Sequence, residues 1–186
     1  MRTTGDAGLA TLAALGDRAA FGELLRRHAP GVRVLLRRMG APPALADDLA
    51  QDACLKAFER IATFRGGSFA AWLKTIAARM YIRRWRSESR IAWAPELPEE
   101  VVDEIAPIAA ASDRIDLDKA LQVLNEMEKV CVSLCVGIGM THEEASAELR
   151  MPLGTVKSHV HRGLMKLRVY FENDESPRAE VTRVRA

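Results

Sequence analysis

The sequence predicts an all-α protein of two small helical domains joined by an acidic linker, and three observations carry that prediction. Apolar residues recur at spacings of three and four through residues 17–89 and again through residues 141–168. No stretch alternates with period two, and Val, Ile and Thr are not clustered as sheets require. Between the two helical regions, residues 91–118 hold Pro95, Pro98 and Pro107 and no sustained helical period, the pattern of a linker. A length of 186 residues allows one domain or two small ones, since domains usually hold roughly 100 to 150 residues. The expected parts are an N-terminal extension (1–16), a first domain (17–90), the linker (91–118), a second domain (119–171) and a frayed tail (172–186).

The elements follow in order. Asp17 is placed to cap a helix carrying Phe21, Leu24, Leu25 and His28 on one side, and Pro30-Gly31 is expected to stop it. Val32, Leu35, Leu36 and Met39 make a second helix, which Gly40 and Pro42-Pro43 end. A third spans about Ala44 to Ala62, with Leu45, Leu49, Ala53, Lys56/Ala57 and Ile61 on one face. After the turn Arg65-Gly66-Gly67-Ser68, a long helix from Phe69 to about Ser89 carries Leu73, Ile76, Ala77 and Met80 inward. In the second half, Thr141 and Glu144 form a capping box that opens a short helix through Leu149. Arg150-Met151-Pro152 makes a tight turn, and a further helix opens near Leu153 with Val156, Val160, Leu164 and Leu167 in one stripe.

Composition bounds the function classes. With 48% hydrophobic and 28% charged residues, the chain is soluble and globular, not disordered or fibrous. No apolar run approaches the roughly 18 residues of a membrane span, and Asp6 and Asp17 bracket the N-terminal Ala/Leu stretch, so a cytoplasmic protein is expected. The three cysteines, Cys54, Cys131 and Cys135, are an odd number in apolar contexts, which fits a reducing compartment. The formal net charge of +2 looks indifferent to nucleic acid, but it is an average over blocks. Residues 1–90 carry +8 and residues 91–118 carry −7.

Two surfaces have the chemistry of nucleic-acid contact. In the second domain, the face opposite the apolar stripe presents Thr155, Ser158, His161, Arg162 and Met165, with His159 and Lys166 on its flank. A short helix, a tight turn and a second helix with a polar-basic outer face describe a helix-turn-helix, whose second helix enters the DNA major groove. In the first domain, Trp72, Thr75, Arg79, Arg83, Arg86 and Arg90 line one side of the long helix, near Tyr81 and Trp85. Cations that track phosphates, interleaved with aromatic faces that stack on unpaired bases, suit melted nucleic acid. An amphipathic hairpin or a solvated arginine face accounts for either surface alone. Their occurrence together in one short chain favours nucleic acid.

Other chemistry is poorly served. His159 and His161 point roughly 200° apart on a helix and cannot share a metal. Cys131 and Cys135 have no partners at a zinc spacing and read as core thiols. Asp47, Asp48 and Asp52 lack a phosphate loop or nucleophile beside them and read as a protein-docking face. No catalytic site, metal or cofactor is expected.

The stretch DDLAQDACLKAFERIATFRGGSFAAWLKTIA (47–77), with D-L-x-Q-D followed by F-x-x-W-L-x-x-I-A, resembles region two of the sigma-70 family. Residues 120–168, with G-T-V-K-S as the sharpest piece, resemble its region four. The pairing of only these two regions is similar to the minimal extracytoplasmic-function (ECF) group. The resemblance implies a transcription initiation factor, not an enzyme, that binds core RNA polymerase at the β′ clamp helices and β flap and directs it to promoter DNA. It places Asp48, Leu49, Gln51 and Asp52 on the polymerase-docking helix. It places Arg65, Ser68, Phe69, Trp72, Lys74, Thr75, Arg79, Arg83 and Arg86 at the minus-10 element, with the loop 63–68 receiving a flipped base. It places Thr155, Lys157, Ser158, His159, His161, Arg162 and Lys166 at the minus-35 element. It further implies that the linker threads toward the polymerase active-site channel, and that an anti-sigma factor holds the protein inactive, at the inner membrane where that partner is anchored there.

The pattern departs from the family at four places. Arg79 stands where Asn is usual, Arg83 where an acid is common, Ala145-Ser146 where the family has I-A, and His159 where Arg completes K-S-R. Two rival readings follow from the same residues: a stand-alone helix-turn-helix regulator, and a sigma-like decoy that titrates an anti-sigma factor. The D-L-x-Q-D helix argues against the first and the intact G-T-V-K-S helix against the second.

Overall fold

The computed structural model describes the backbone of residues 5–88 and 114–181, and the side chains of 5–87 and 117–173. The described residues are helical and contain no strand, as the spacing predicts, and none of their helices is long and apolar enough to cross a membrane. The chain forms two compact units. Arg90 and the linker up to residue 113 lie outside the described residues.

The first unit holds α1 (Asp6–Ala14), α2 (Arg18–Arg38), α3 (Pro43–Arg60), a 3-10 turn (Ile61–Thr63) and α4 (Phe69–Glu88). The N-terminal extension is thus itself a helix that packs on α2, burying Leu9, Ala10 and Ala13. Gly16, at φ +99°, makes the turn that follows it. Asp17 caps α2 as expected, its Oδ1 accepting from the N–H groups of Ala19 (2.8 Å) and Ala20 (3.0 Å).

Pro30 does not stop that helix, contrary to expectation: α2 is continuous through it to Arg38. The cause is tertiary. Leu24, Val32, Leu35 and Leu36 form one buried line across the proline, packed on α3 and α4, while the Pro30 ring faces solvent. That burial, at ~1.5–3 kcal/mol for each large side chain, outweighs the ~3 kcal/mol that an interior proline costs.

Pro43 at the first position starts α3, which buries Ala46, Leu49, Ala50, Ala53 and Ala57. The alanines let the backbones of α2, α3 and α4 come close. Phe69, Leu73, Ala77, Ala78, Tyr81 and Ile82 are the buried positions of α4, whereas Ile76 and Met80, expected inward, are only half-buried. This helix contacts α1, α2 and α3, so its buried arc is wider than a single stripe predicts. The Tyr81 hydroxyl donates to the Met39 carbonyl (3.2 Å), tying the end of α2 to the middle of α4.

The second unit holds α5 (Arg114–Ala120), a 3-10 turn (Leu121–Val123), α6 (Glu126–Val132) continued by a π-helical stretch (Ser133–Ile138), α7 (His142–Leu149) and α8 (Leu153–Val181). Ala120, Leu121, Leu124, Val132 and Leu167 form its core, flanked by Leu117, Leu164, Tyr170 and Phe171. Two expectations are corrected here. Helix begins at Arg114, inside the span read as linker, because Leu117 and Ala120 are needed in this core. Helix also continues past residue 171 to Val181, where a frayed tail was expected.

Candidate nucleic-acid and polymerase interfaces

The loop between the 3-10 turn and α4 is shaped by its own residues. Gly66 and Gly67 adopt φ +95° and +84°, conformations that other residues reach only under strain. Thr63 Oγ1 donates to the Arg60 carbonyl (2.7 Å), and the Arg65 guanidinium turns back to the Ala62 carbonyl (3.0 Å). Ser68 Oγ accepts from the N–H of Ala71 (3.2 Å), so this hydroxyl caps α4.

An aromatic cluster lies under the loop. Phe69, only 1% exposed, sits with ring centroids 6.0 Å from Phe64, 5.6 Å from Trp72, 6.3 Å from Phe21 and 5.8 Å from His28. Phe64 and Trp72 are 5.4 Å apart and half-buried, which leaves ring surface open to a partner. Phe69 therefore supports the platform from beneath, with Phe64 and Trp72 at its surface. Phe64 was not singled out from the sequence; its place in a short polar loop after an apolar helix was the available signal.

Along α4 from this platform, Lys74, Thr75 and Arg86 are half-buried and Arg79 and Arg83 exposed. Thr75 Oγ1 is engaged by the Ala71 carbonyl (2.9 Å). Arg79, Arg83 and Arg86 thus follow the platform down one helix face, the order needed to hold a strand whose base rests on the aromatics, whereas Lys74, about 200° round the helix from Trp72, lies toward Gly31 of α2.

Helix α3 presents Asp48, Gln51 and Asp52 to solvent, while Leu49 is in the core at 6% exposure. Leu55 (59% exposed) and Phe58 (47%) continue the same line at a spacing of three. A carboxylate cluster ending in exposed apolar side chains has the makeup of a protein-docking face, with the apolar groups as anchors. Sequence reading found its polar half and missed Leu55 and Phe58, which it had no means to distinguish from core.

The helix-turn-helix forms as predicted. Thr141 and Glu144 make the reciprocal capping box, with bonds of 3.1 and 2.9 Å. Arg150 takes the left-handed conformation (φ 54°, ψ 45°) that ends α7, and Ser146 Oγ donates to the Met151 carbonyl (2.6 Å), closing the turn. Thr155, Lys157, His161 and Arg162 are half-buried along the first turns of α8. Ser158 and His159 are each only 6% exposed, so the outer face is less open than the helical period alone indicates. An Arg162 guanidinium nitrogen lies 3.3 Å from His159 Nδ1.

Lys166 belongs to the fold. Its Nζ donates to both carboxylate oxygens of Glu128 on α6 (2.9 and 2.8 Å). Glu128 is buried and also serves the capping box of α6, where its Oε2 accepts from the Asn125 N–H (3.0 Å). Among the described residues no group of His, Cys, Asp or Glu is arranged to hold a metal. Burial pushes the Cys131 thiol up to about 12 and the Cys135 thiol to about 11, so neither is a nucleophile.

Comparison with known proteins gives the family. Residues 24–91 match the sigma-70 region 2 family and residues 120–169 the sigma-70 region 4 family. The chain is 32% identical to the ECF RNA polymerase sigma factor SigE of Mycolicibacterium smegmatis, over 93% of this chain and 71% of that protein. It is 30% identical to the RNA polymerase sigma factor NccH of Alcaligenes xylosoxydans, over 91% of this chain and 96% of that one. Among solved structures it is similar to CnrH, solved in complex with the cytosolic domain of CnrY (25% identity, TM-score 0.52, 91% of this chain and 98% of that one). It is also similar to the sigma factor RpoE of Bartonella quintana, solved with the anti-sigma factor NepR (25% identity, TM-score 0.51, 82% and 96%). A region-two unit with an aromatic platform and a region-four helix-turn-helix, in that order and at that spacing, place the chain in the sigma-70 family, as an ECF RNA polymerase sigma factor.

Proposed function

We propose that the three surfaces divide the work of initiation among them. The exposed line Asp48, Gln51, Asp52, Leu55 and Phe58 docks α3 on the clamp of core RNA polymerase. The loop 63–68, with Arg65, Ser68, Phe64 and Trp72, receives an extruded base of the minus-10 element. Extrusion costs a few kcal/mol, which stacking on Trp72 and phosphate contacts from Arg79, Arg83 and Arg86 offset. The start of α8, with Thr155, Lys157, His161 and Arg162, reads the minus-35 element. A helix N-terminus also supplies N–H groups for a phosphate there. The protein performs no bond chemistry of its own and acts in the cytoplasm, on the nucleoid.

The observation that carries this reading is the platform itself: Phe64 and Trp72 open at the surface, held from below by Phe69, with Arg79 and Arg83 exposed further along the same helix. A regulator that reads only duplex DNA has no use for it. An anti-sigma partner is proposed by analogy with RpoE, whose solved complex contains one.

The test is transcription in vitro with purified core polymerase, alongside gel shifts with and without it. Promoter-specific transcripts and weak binding of the isolated protein are expected. Tight specific duplex binding by the isolated chain would overturn the proposal in favour of a stand-alone regulator. Absence of transcript from every promoter tried, with intact binding to an anti-sigma protein, would favour a decoy.

A further inference from the structure

A connected set of side chains runs from the N-terminal helix to the aromatic platform. Asp6, at the start of α1, accepts from Arg27 (3.0 Å) and pairs with His28 Nε2 (2.6 Å), both on α2. The Arg27 hydrogen bond, with the nearby His28, holds the Asp6 carboxyl below its ordinary value, so it is an anion at neutral pH. The imidazole aimed by this bond lies against Phe69, at 5.8 Å between centroids and 49° between planes. Phe69 in turn supports Phe64 and Trp72. Helix α1 also packs against the 3-10 turn Ile61–Thr63, which leads into the loop 63–68.

None of the surfaces assigned to polymerase or DNA uses Asp6, His28 or α1. We propose that Asp6 and His28 are positioning residues that hold the Phe64–Phe69–Trp72 platform and the adjoining loop in the shape an extruded base requires. The inference rests on the proposed role of that loop. Its physical basis is preorganisation: a base stacks well only if the rings are already placed, and ordering them during binding lowers affinity. A hydrogen bond to one ring nitrogen fixes the orientation of an imidazole, and through that the face it turns to Phe69. The site is a charge-assisted pair, stronger than a neutral one, and only partly exposed, with side-chain exposures of 39% for Asp6 and 20% for His28.

Two measurements on the full chain test this. With Trp85→Phe and Trp93→Phe in place, Trp72 is the only tryptophan, and its emission reports the platform in the free protein. Asp6→Asn is expected to shift that emission to the red and raise its quenching by acrylamide; Asp6→Glu is expected to restore both. In holoenzyme with the native tryptophans, Asp6→Asn is expected to slow minus-10 opening, followed by 2-aminopurine fluorescence, roughly three- to tenfold, the net range of one hydrogen bond at a partly exposed site. His28→Phe, which keeps a ring against Phe69 and lacks the donor, is expected to behave likewise. Unchanged Trp72 emission, or opening lost only in proportion to the unfolded fraction, would overturn the inference. If the unsubstituted holoenzyme opened no promoter, the functional reading would fail instead, and the Trp72 measurement would still stand because it needs no polymerase.

Discussion

Lys166 reaches from α8 to the buried Glu128 of α6, its Nζ within 2.9 Å of both carboxylate oxygens, so a cation on the flank of the reading helix is spent on holding that helix in place. The resemblance to region four also places Lys166 at the minus-35 element, and its side chain is 45% exposed. Glu128 satisfies three donors' worth of geometry at once: two bonds from Lys166 and the N–H of Asn125. Removing either partner therefore acts on stability first.

Glu128→Ala is expected to lower the stability of the second unit by roughly 3 kcal/mol or more, since it leaves the α6 cap open and a cavity behind. Lys166→Ala is expected to cost a similar amount, roughly 3 kcal/mol or more, because it leaves the Glu128 carboxylate, whose side chain is 2% exposed, buried without its cation. Urea denaturation of the full chain, followed by circular dichroism, measures both. Loss of DNA binding by Lys166→Ala with unchanged stability would return Lys166 to the DNA surface.

Gly163 offers a substitution whose sign distinguishes packing from propensity. A Cβ at this position would lie 2.7 Å from Val132 Cγ2, closer than side chains tolerate, and at an ordinary contact distance of 3.5 Å from Glu128 Cβ. Helix propensity alone makes Gly→Ala stabilising by ~1 kcal/mol. Overpacking costs ~1–3 kcal/mol, so Gly163→Ala is expected to destabilise. Val132→Ala in the same chain should recover part of the loss, a coupling that a double-mutant cycle measures.

Much of this was legible in the sequence, and the parts that were not share a cause. Asp17, Thr141 with Glu144, and the Gly66-Gly67 turn act within three residues, so their chemistry is complete in the local pattern. Pro30 misled because its cost is local while the compensation lies on α3 and α4. Leu49 and Leu55 are both leucines of one helix, and only the packing of its neighbours separates core from docking face. The Lys166–Glu128 pair spans 38 residues and two helices, beyond any periodicity argument. The same holds for Asp6 and His28, which fold a presumed extension into the first unit.

The docking and DNA surfaces separate by their readouts. Leu55→Ala and Asp52→Ala are expected to weaken core-polymerase binding while leaving region-four contacts to DNA intact, with Leu55 the larger loss at roughly 1–2 kcal/mol for an anchoring leucine. Arg79→Ala and Arg83→Ala should leave core binding unchanged and weaken promoter binding by the holoenzyme. Each should reduce the slope of log affinity against log salt by about 1, as expected for one phosphate contact removed. Lys157→Ala and Arg162→Ala should do the same on promoters with a minus-35 element and little on templates lacking it. Filter binding over a salt series checks the four DNA substitutions, and titration of core polymerase with the labelled protein checks Leu55→Ala and Asp52→Ala; an unchanged salt slope for Arg79→Ala would remove it from the phosphate path.

The buried thiols set a pH dependence of stability. Cys131 is pushed up to about 12 by burial first, with Cys135 and Glu128 adding to the effect, whereas in the unfolded chain it titrates near its ordinary value of 9.0. Above pH 9 the unfolded chain therefore releases a proton that the folded chain retains, so unfolding is favoured as pH rises. The stabilising term is fully present below pH 9 and is lost progressively between 9 and about 12, at on the order of 1 kcal/mol per pH unit. Lysines and tyrosines titrate in the same window, so the comparison with Cys131→Ala isolates the thiol. The variant is expected to be less stable at pH 7, having lost a packed side chain, and to show a shallower decline above pH 9. Parallel stability curves for the two proteins between pH 9 and 11 would show that Cys131 ionises in the folded state as easily as in the unfolded one.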